Sequence, residues 1–302
     1  MDRGNEMKIE LIEKAKEFGL LSLKPEGEEF LKIVEELSKR NQSLALSLVA
    51  NSMFLVEFEE WGSAETLHAF AITEPKSGSD LKACRTKLND GKVYGVKTLV
   101  TNAELAESFA VLASESGRLK LCVVRRDDKV KVRKLNVSSF RGSGIGVVKF
   151  DGAEAEDVKE EGTKAVMRTL TYSRPFFSAI ALGMSERCLE VAINYAKRRR
   201  AFGKSVLEFQ GVSFQLAECV TEVEALRCLI LEALRKREHL SAVCKLFAAK
   251  TVKKVTDVCL QVLAGHGLIR GGYVERAYRD AKAFDVGEGT SEIMKLLISR
   301  RF

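Results

Sequence analysis

The carboxylate with the clearest chemical setting in this sequence is Glu288, which lies between two glycines near the end of the chain. We expect it in an irregular loop that leads into a last helix running from Ser291 to Arg301. Apolar Phe284 and Val286 precede it, and partial desolvation beside them would raise its pKa, as suits a general base. Taken alone, however, the segment favours a simpler role in which Glu288 caps the final helix.

A second candidate is the segment from Thr73 to Asp80, TEPKSGSD, which follows an apolar strand beginning at Phe70. We call it the signature loop. Its hydroxyls, glycine and backbone N–H groups can hydrogen-bond the edge of a flat heteroaromatic ring and a phosphate with little steric hindrance. The same residue types also dominate plain turns, and by itself the segment is better explained as a turn.

Two further segments combine positive charge with glycine. Five cations fall within Lys197 to Lys204, where they either bind nucleic acid or complement the end of a helix. Phe202 is the single aromatic residue among them, which makes a single-strand binding platform a weak interpretation. The segment Gln261 to Gly267 indicates a helix C-cap, or a turn that lets the backbone approach a phosphate closely. His266 within it is most simply a hydrogen-bonded loop residue.

Composition limits the classes of protein to which this chain can belong. The chain has 302 residues, 46% of them hydrophobic, which is enough for two or three domains with buried cores. Its net charge of +7 suits nucleic acid, a ligand with several phosphates, or an ordinary basic surface. Seven cysteines without a Cys-x-x-Cys pair and three dispersed histidines indicate neither a disulfide framework nor a metal site.

No membrane span or signal peptide is expected, so we predict a cytoplasmic protein. A Ser-His-Asp triad also lacks a supporting Gly-x-Ser-x-Gly motif.

The elements that must position these residues form three zones, which predict an α+β multidomain protein. Residues 1–68 show helical periodicity and form an N-terminal helical domain. Residues 69–158 alternate short apolar runs with turns such as Asn89-Asp90-Gly91, which predicts an antiparallel β-sandwich or barrel. Residues 159–302 carry long apolar stripes at helical spacing, which predict an antiparallel four-helix bundle. Pro175 is expected to kink its first helix.

Taken in order, these segments resemble the acyl-CoA dehydrogenase family. The signature loop resembles that family's Thr-Glu-Pro-x-x-Gly-Ser-Asp element. Arg199 to Gly203, followed by Phe209-Gln210, resembles its Arg-x-x-Phe-Gly and Phe-Gln elements, and Gln261 to Gly267 with Tyr278 to Ile293 resembles the second signature region. The resemblance covers nearly all of residues 10–302, and four ordered motifs are far more specific than any one of them.

The resemblance implies a flavoprotein that binds FAD between the β-domain and the helical bundle and dehydrogenates the α and β carbons of an acyl-CoA thioester. Glu288 matches the family's catalytic base, which takes the α-proton, while flavin N5 accepts the β-hydride. Hydrogen bonds to the thioester oxygen, from the N–H of the base and a ribityl hydroxyl of the flavin, stabilise the enolate-like charge. The implied partners are the acyl-CoA substrate and an electron-transferring flavoprotein, with a role in fatty acid β-oxidation; neither a metal nor nucleic acid is expected.

Site residues follow from matching positions. Arg174, Gly289 and Ser79 are expected near the substrate. Five cofactor residues are expected to reach the FAD of a neighbouring subunit, so that a dimer or homotetramer completes the site: Arg199, Phe202, Gln210, Gln261 and Gly265. The remaining cofactor residues are Ile72, Thr73, Gly78, Ser79, Thr101, Thr290 and Glu292.

The sequence departs from the family pattern at several positions. The N-terminal zone is short, and Trp61 to Glu65 runs almost directly into the signature loop, as if a helix and a connector were missing. Leu99 stands where a tryptophan is common, and Gly287 replaces the usual tyrosine before the base. Some members carry the base on an earlier helix near the position of Ser173, but a serine cannot act as that base. Glu292 replaces a glutamine common in several members.

Two alternatives to a dehydrogenase remain open. An acyl-CoA oxidase has the same fold but uses dioxygen to reoxidise its flavin. A non-catalytic flavoprotein or binding module is favoured by the short N-terminal zone, whereas Glu288 and the signature loop argue against it. Arg174 is expected near the site, although an interhelical ion pair explains it equally well.

Overall fold

The computed structural model describes residues 9–302. Its N-terminal part contains helices α1 (Ile9–Glu17), α2 (Gly27–Arg40) and α3 (Gln42–Glu57). Asn41 begins α3 as its N-cap, because its side-chain oxygen accepts a hydrogen bond from the N–H of Leu44 at 2.9 Å. The predicted helical character of this zone is confirmed for its described residues, whereas residues 1–8 of the predicted domain lie outside them.

The middle of the chain forms one eight-stranded sheet. Its strands are β1 (His68–Ala71), β2 (Lys87–Asn89), β3 (Lys92–Val100), β4 (Ser108–Glu115), β5 (Arg118–Arg125), β6 (Val130–Lys134), β7 (Gly146–Glu154) and β8 (Val158–Lys159). Their order is β6-β7-β3-β2-β4-β5-β8, with β1 beside β4.

The sheet is mixed, whereas the sequence predicted an antiparallel one. Hairpin neighbours such as β2–β3 and β4–β5 are antiparallel, as expected. Strands β1 and β2, however, both pair with β4 in parallel. These parallel pairs join strands that are distant in the sequence, so turn signals between consecutive strands give no information about them. The turn at Asp90 and Gly91 has positive φ at both residues, which is the geometry that favours an Asp-Gly hairpin.

The C-terminal part is helical, as predicted. It contains α4 (Gly162–Arg198), α5 (Gln210–Arg235), α6 (Arg237–Leu263), α7 (Tyr273–Ala281) and α8 (Ser291–Ser299). A two-stranded hairpin, β9 (Arg200–Ala201) with β10 (Lys204–Ser205), connects α4 to α5. Helix α4 continues through Pro175.

Helices α4 and α6 run in the same direction, and α5, which connects them in the sequence, runs in the opposite direction. At one end Arg237 lies over the ring of Tyr172, 4.3 Å from its centroid, and at the other end Tyr195 lies 3.4 Å from His266. The last helix, α8, runs back along α6, because Lys245 contacts Gly289, two residues before the start of α8, while Arg301 donates to the carbonyl of Glu238. Glu288 therefore lies beside the first half of α6 and the first half of α4, which contains Ser173.

The N-terminal helices pack on both other parts of the molecule. Residues of α2 and α3 share one apolar core with the bundle, and Phe54, Leu55 and Phe58 share another with the sheet. Gly183 of α4 lets α2 approach closely, since a Cβ there would lie 2.3 Å from the carbonyl oxygen of Glu35. The helix, strand and helix zones are therefore clear, whereas the division into domains at 1–68, 69–158 and 159–302 stays a prediction.

Candidate active site

Glu288 lies in the turn before α8 with a left-handed backbone, φ 53°. Its carboxylate Oε2 accepts a hydrogen bond from the hydroxyl of Ser173 on α4 at 2.8 Å. The N-cap of α8 is Thr290, whose side chain accepts from the N–H of Ile293 at 3.3 Å. Capping of the last helix is therefore the work of Thr290, and the simpler interpretation of Glu288 as a cap is wrong.

The protonation of Glu288 is tuned by its surroundings. Burial raises the pKa of its carboxyl from 4.5 to about 7, against the opposing effects of the Ser173 hydroxyl and the charges of Arg174 and Lys245. A carboxylate with a pKa near neutrality is suited to accept a proton from a weak carbon acid. Its backbone N–H donates no hydrogen bond within the described chain, so it can donate to a ligand.

Two buried cations hold the backbone of this turn. The Nε of Arg174 donates to the carbonyl oxygen of Glu288 at 3.2 Å, and the Nζ of Lys245 donates to that of Gly289 at 2.5 Å. Desolvation lowers the pKa of both side chains, that of Lys245 to about 8. Arg174 therefore contacts the turn that carries the carboxylate, and its expected role beside the substrate, like that of Gly289, stays a prediction.

Lys245 was missed in the sequence. It lies on the apolar stripe of α6 with Ala242, Ala249 and Val252, all of which are buried. A lysine within such a stripe is a signal that was available, because a buried cation needs a specific partner.

Small residues on both sides of Glu288 permit close packing. Gly289 has φ 97°, and a Cβ there would lie 2.9 Å from the Cε of Met294. At Gly287 a Cβ would lie 3.2 Å from the ring of Phe177 and 3.3 Å from the carbonyl oxygen of Ala283. A larger residue at Gly287 would therefore need Phe177 to move.

The signature loop is anchored by a buried ion pair. Glu74 accepts hydrogen bonds from Lys97 at 2.9 Å, from the N–H and hydroxyl of Thr86, and from the N–H of Arg85. Desolvation alone would raise the pKa of Glu74, but these hydrogen bonds lower it to about 2. Lys97 is completely buried and also donates to the carbonyl of Ile72.

This anchoring leaves the outer part of the signature loop available. Gly78 and Ser79 are exposed, and their N–H groups donate no hydrogen bond within the described chain. Ile72, just before the loop, belongs to the same apolar cluster as Leu170, one turn before Ser173 on α4. These free donors have the chemistry that a flavin ring edge or a phosphate requires.

The remaining cofactor residues of the same region vary in exposure. Thr73 and Thr101 are partly exposed, and Glu292 is exposed and forms an ion pair with Lys295 at 3.6 Å. Leu99, in place of a tryptophan, is 54% exposed and has φ 55°. An apolar side chain held outward by a strained backbone is expected to contact something that the chain alone does not supply.

The second set of predicted cofactor residues lies far from Glu288. Ser173 and Arg199 are 26 residues apart along α4 and its C-cap, or about 39 Å at 1.5 Å per residue. Around that end, Arg199 and His266 line a cleft of about 650 Å³. All five members of this set are exposed: Arg199, Phe202, Gln210, Gln261 and Gly265.

Phe202 is the aromatic member of that set. Its side chain is 97% exposed at the tip of the β9–β10 hairpin, where Phe202 and Gly203 both have positive φ. One FAD cannot reach this hairpin and Glu288 of the same chain. The structure therefore does not bring the two sets of predicted cofactor residues together within one chain.

Within the described residues, no helix is long and apolar enough to span a membrane. The same part of the chain contains no group of three or more His, Cys, Asp or Glu side chains placed to hold a metal ion.

Comparison with known proteins places the chain in a family. Family models described as the acyl-CoA dehydrogenase middle domain and C-terminal domain match residues 69–153 and 160–302. An acyl-CoA dehydrogenase of Bacillus subtilis (strain 168) is 35% identical over 263 residues, which cover 79% of this chain and 69% of the relative. Butyryl-CoA dehydrogenase from Megasphaera elsdenii superposes with a TM-score of 0.87 at 25% identity, covering 99% of this chain and 91% of the other.

The chain belongs to the acyl-CoA dehydrogenase family, whose members are FAD-dependent oxidoreductases. A second relative is longer than this chain. YngJ of Bacillus subtilis (strain 168), described as a probable acyl-CoA dehydrogenase, is 28% identical over 351 aligned positions that include all of this chain and 91% of the relative. Since the chain has 302 residues, at least 49 positions of YngJ have no counterpart within it.

Proposed function

We propose that this protein removes the α-proton and the β-hydride of an acyl-CoA thioester to give the trans-2-enoyl-CoA, with Glu288 as the base. The observation that carries the proposal is the Glu288 carboxylate, whose pKa burial raises to about 7 and which the Ser173 hydroxyl orients. Its second oxygen, Oε1, accepts no hydrogen bond from the described chain and is available for the proton.

The thioester oxygen needs hydrogen-bond donors as negative charge develops on it. The free N–H of Glu288 lies on the residue that takes the proton, so one turn of backbone supplies both the base and a donor. The carboxylate and the N–H both belong to Glu288, whose backbone is left-handed.

The residues present fit FAD. Free N–H groups at Gly78 and Ser79 suit the polar edge of the ring system, and the exposed cationic hairpin around Arg199 suits its phosphates. Bound FAD supplies a two-electron acceptor for the β-hydride. Because one chain cannot bring both sets to one FAD, we propose that Arg199, Phe202, Gln210, Gln261 and Gly265 complete the site of a neighbouring subunit in a dimer or homotetramer.

The remaining assignments rest on the family alone. We propose an electron-transferring flavoprotein as the acceptor, a role in fatty acid β-oxidation and a cytoplasmic location. The basic surface then serves two polyphosphate ligands, FAD and CoA.

The test is an anaerobic titration of the purified protein with acyl-CoAs of graded chain length, followed by flavin absorbance. Bleaching by one length class supports the proposal and identifies the substrate. Glu288→Gln is expected to retain flavin but to reduce bleaching by at least about 10³-fold, while the exposed control Glu224→Gln bleaches normally. A protein that binds no FAD, or a Glu288→Gln variant that bleaches at the normal rate, contradicts the proposal. Rapid reoxidation of the reduced protein in air would instead indicate an oxidase.

A further inference from the structure

Lys245 is a buried cation for which the proposed chemistry gives no direct role. It is 1% exposed, and its one hydrogen bond in the described chain goes to the carbonyl of Gly289. Burying an ammonium group costs several kcal/mol unless a specific contact compensates for it. A methionine or leucine would fill the same position in the apolar stripe without that cost, so the charge requires an explanation.

The contact of Lys245 falls on the most constrained backbone in the site. Glu288 and Gly289 are consecutive residues with φ of 53° and 97°, and Glu288 has a side chain that disfavours this region. Their two carbonyl oxygens each accept from a buried cation, Arg174 on α4 and Lys245 on α6. Two helices thus hold two successive peptides of the turn that carries the base.

We propose that Lys245 is a positioning residue for the reaction: it fixes the left-handed Glu288–Gly289 turn from α6 and places a positive charge beside the base. This inference rests on the proposed role of Glu288. In this role Lys245 acts through its hydrogen bond to the carbonyl of Gly289 and needs no contact with substrate or flavin.

The charges around the site support an electrostatic effect as well as a geometric one. Glu288 faces the Ser173 hydroxyl, Arg174 and Lys245, which all oppose the rise in its pKa caused by burial. Lys245 in turn faces Glu288, Arg174, Asp285 and Glu292. Asp285 already pairs with Lys253 and Lys282, and Glu292 is exposed. Among these acids, buried Glu288 has the largest electrostatic effect on Lys245. Removal of the positive charge of Lys245 should therefore raise the pKa of Glu288 further.

The test measures proton abstraction separately from electron transfer. Loss of an α-deuterium from a labelled acyl-CoA to solvent is followed by NMR across pH 5–10 with the FAD-loaded protein. Lys245→Met is expected to move the midpoint of the pH profile upward by about one pH unit and to lower the plateau rate on the order of 10–100-fold. Lys250→Met, an exposed residue on the same helix, is the matched control and should change neither value.

Two conservative variants separate charge from geometry. Lys245→Arg keeps the charge and should retain the wild-type midpoint. Lys245→Gln keeps a donor without charge and should shift the midpoint upward, so it also decides the matter if Lys245→Met fails to fold. A wild-type midpoint and plateau in both Lys245→Gln and Lys245→Met overturns the inference. If Glu288→Gln leaves the exchange intact, the proposed function itself has failed; if it abolishes exchange while the Lys245 variants behave normally, only this inference has failed.

Discussion

At the scale of single residues, the properties of the proposed base, Glu288, depend on what surrounds it. A glutamate in an exposed turn would be fully ionised at neutral pH and would have no special affinity for a carbon-bound proton. The turn before α8 places Glu288 against Ser173 of α4, where burial outweighs two nearby cations and holds its pKa at about 7. The carboxylate is then basic enough to act, and about half of the molecules carry it in ionised form in a neutral solution.

The same shift predicts a pH-dependent cost to the fold. Between pH 4.5 and about 7 the folded protein holds the Glu288 proton more tightly than the unfolded chain does, so the free energy of unfolding falls as pH rises through this window. Glu288→Gln is expected to be more stable than the wild type by about 1–3 kcal/mol at pH 8 and to show little gain at pH 4.5. Urea unfolding at the two pH values measures the difference. An equal difference at both values would show that the titration of Glu288 contributes nothing.

At the scale of elements, the signature loop depends on strand β3. Loops rich in glycine and serine do not hold a fixed shape by themselves. Here the carboxylate of Glu74 accepts five hydrogen bonds, one of them from the ammonium of Lys97, which reaches it from within the sheet. The loop can therefore keep the N–H groups of Gly78 and Ser79 free without losing its conformation.

Removing Lys97 tests this role. Lys97→Met leaves Glu74 buried without its cation, which is expected to lower the free energy of unfolding by about 3–5 kcal/mol and to weaken FAD binding. Lys92→Met, an exposed change at the start of the same strand, should alter stability by less than about 0.5 kcal/mol. Denaturant unfolding and flavin titration measure the two effects. The double variant Glu74→Gln/Lys97→Met should be less destabilised than Lys97→Met; if both are as stable as the wild type, the ion pair does not hold the loop.

At the scale of the whole molecule, one chain contains two separated sets of predicted cofactor residues, which we propose are the two halves of a cofactor site. Glu288 lies beside the first half of α4, and Ile72, which precedes the signature loop, belongs to the same apolar cluster as Leu170 there. Arg199 lies about 39 Å farther along α4 than Ser173, at the end that carries the β9–β10 hairpin. A second copy of the chain can bring the far half of one subunit to the near half of another. The exposed phenylalanine at the tip of a hairpin then has a partner.

Loss of the Arg199 side chain should therefore reduce FAD binding without lowering the stability of the folded monomer. Arg199→Ala is expected to lower the ratio of flavin to protein after gel filtration at least about 10-fold, because a phosphate contact is lost. Its effect on the free energy of unfolding should stay within about 0.5 kcal/mol, since the side chain is exposed. Arg235→Ala, also exposed, is the control.

Mixed oligomers give the sharper measurement. Arg199→Ala subunits retain Glu288, and Glu288→Gln subunits retain Arg199. Each variant alone should be inactive, whereas coexpression should restore activity at those sites that combine the intact half of each subunit. Absence of any restored activity in mixed oligomers would mean that each chain builds its own FAD site.

The sequence by itself determined the order of helical and strand zones, the hairpin at Asp90-Gly91, and the motifs that point to Glu288. These features are local, because periodicity and turn chemistry act over a few residues. It did not reveal the parallel pairing of β1 and β2 with β4, which joins distant segments.

Only the tertiary structure decided what Glu288 does in its turn. It gave the cap of α8 to Thr290 and placed Ser173, Arg174 and Lys245 around Glu288 from two other helices. These three residues are more than 40 positions from Glu288 in the sequence, so their proximity depends on how the bundle packs. The pKa of a carboxylate depends on burial and on nearby charges, and both exist only once that packing is formed.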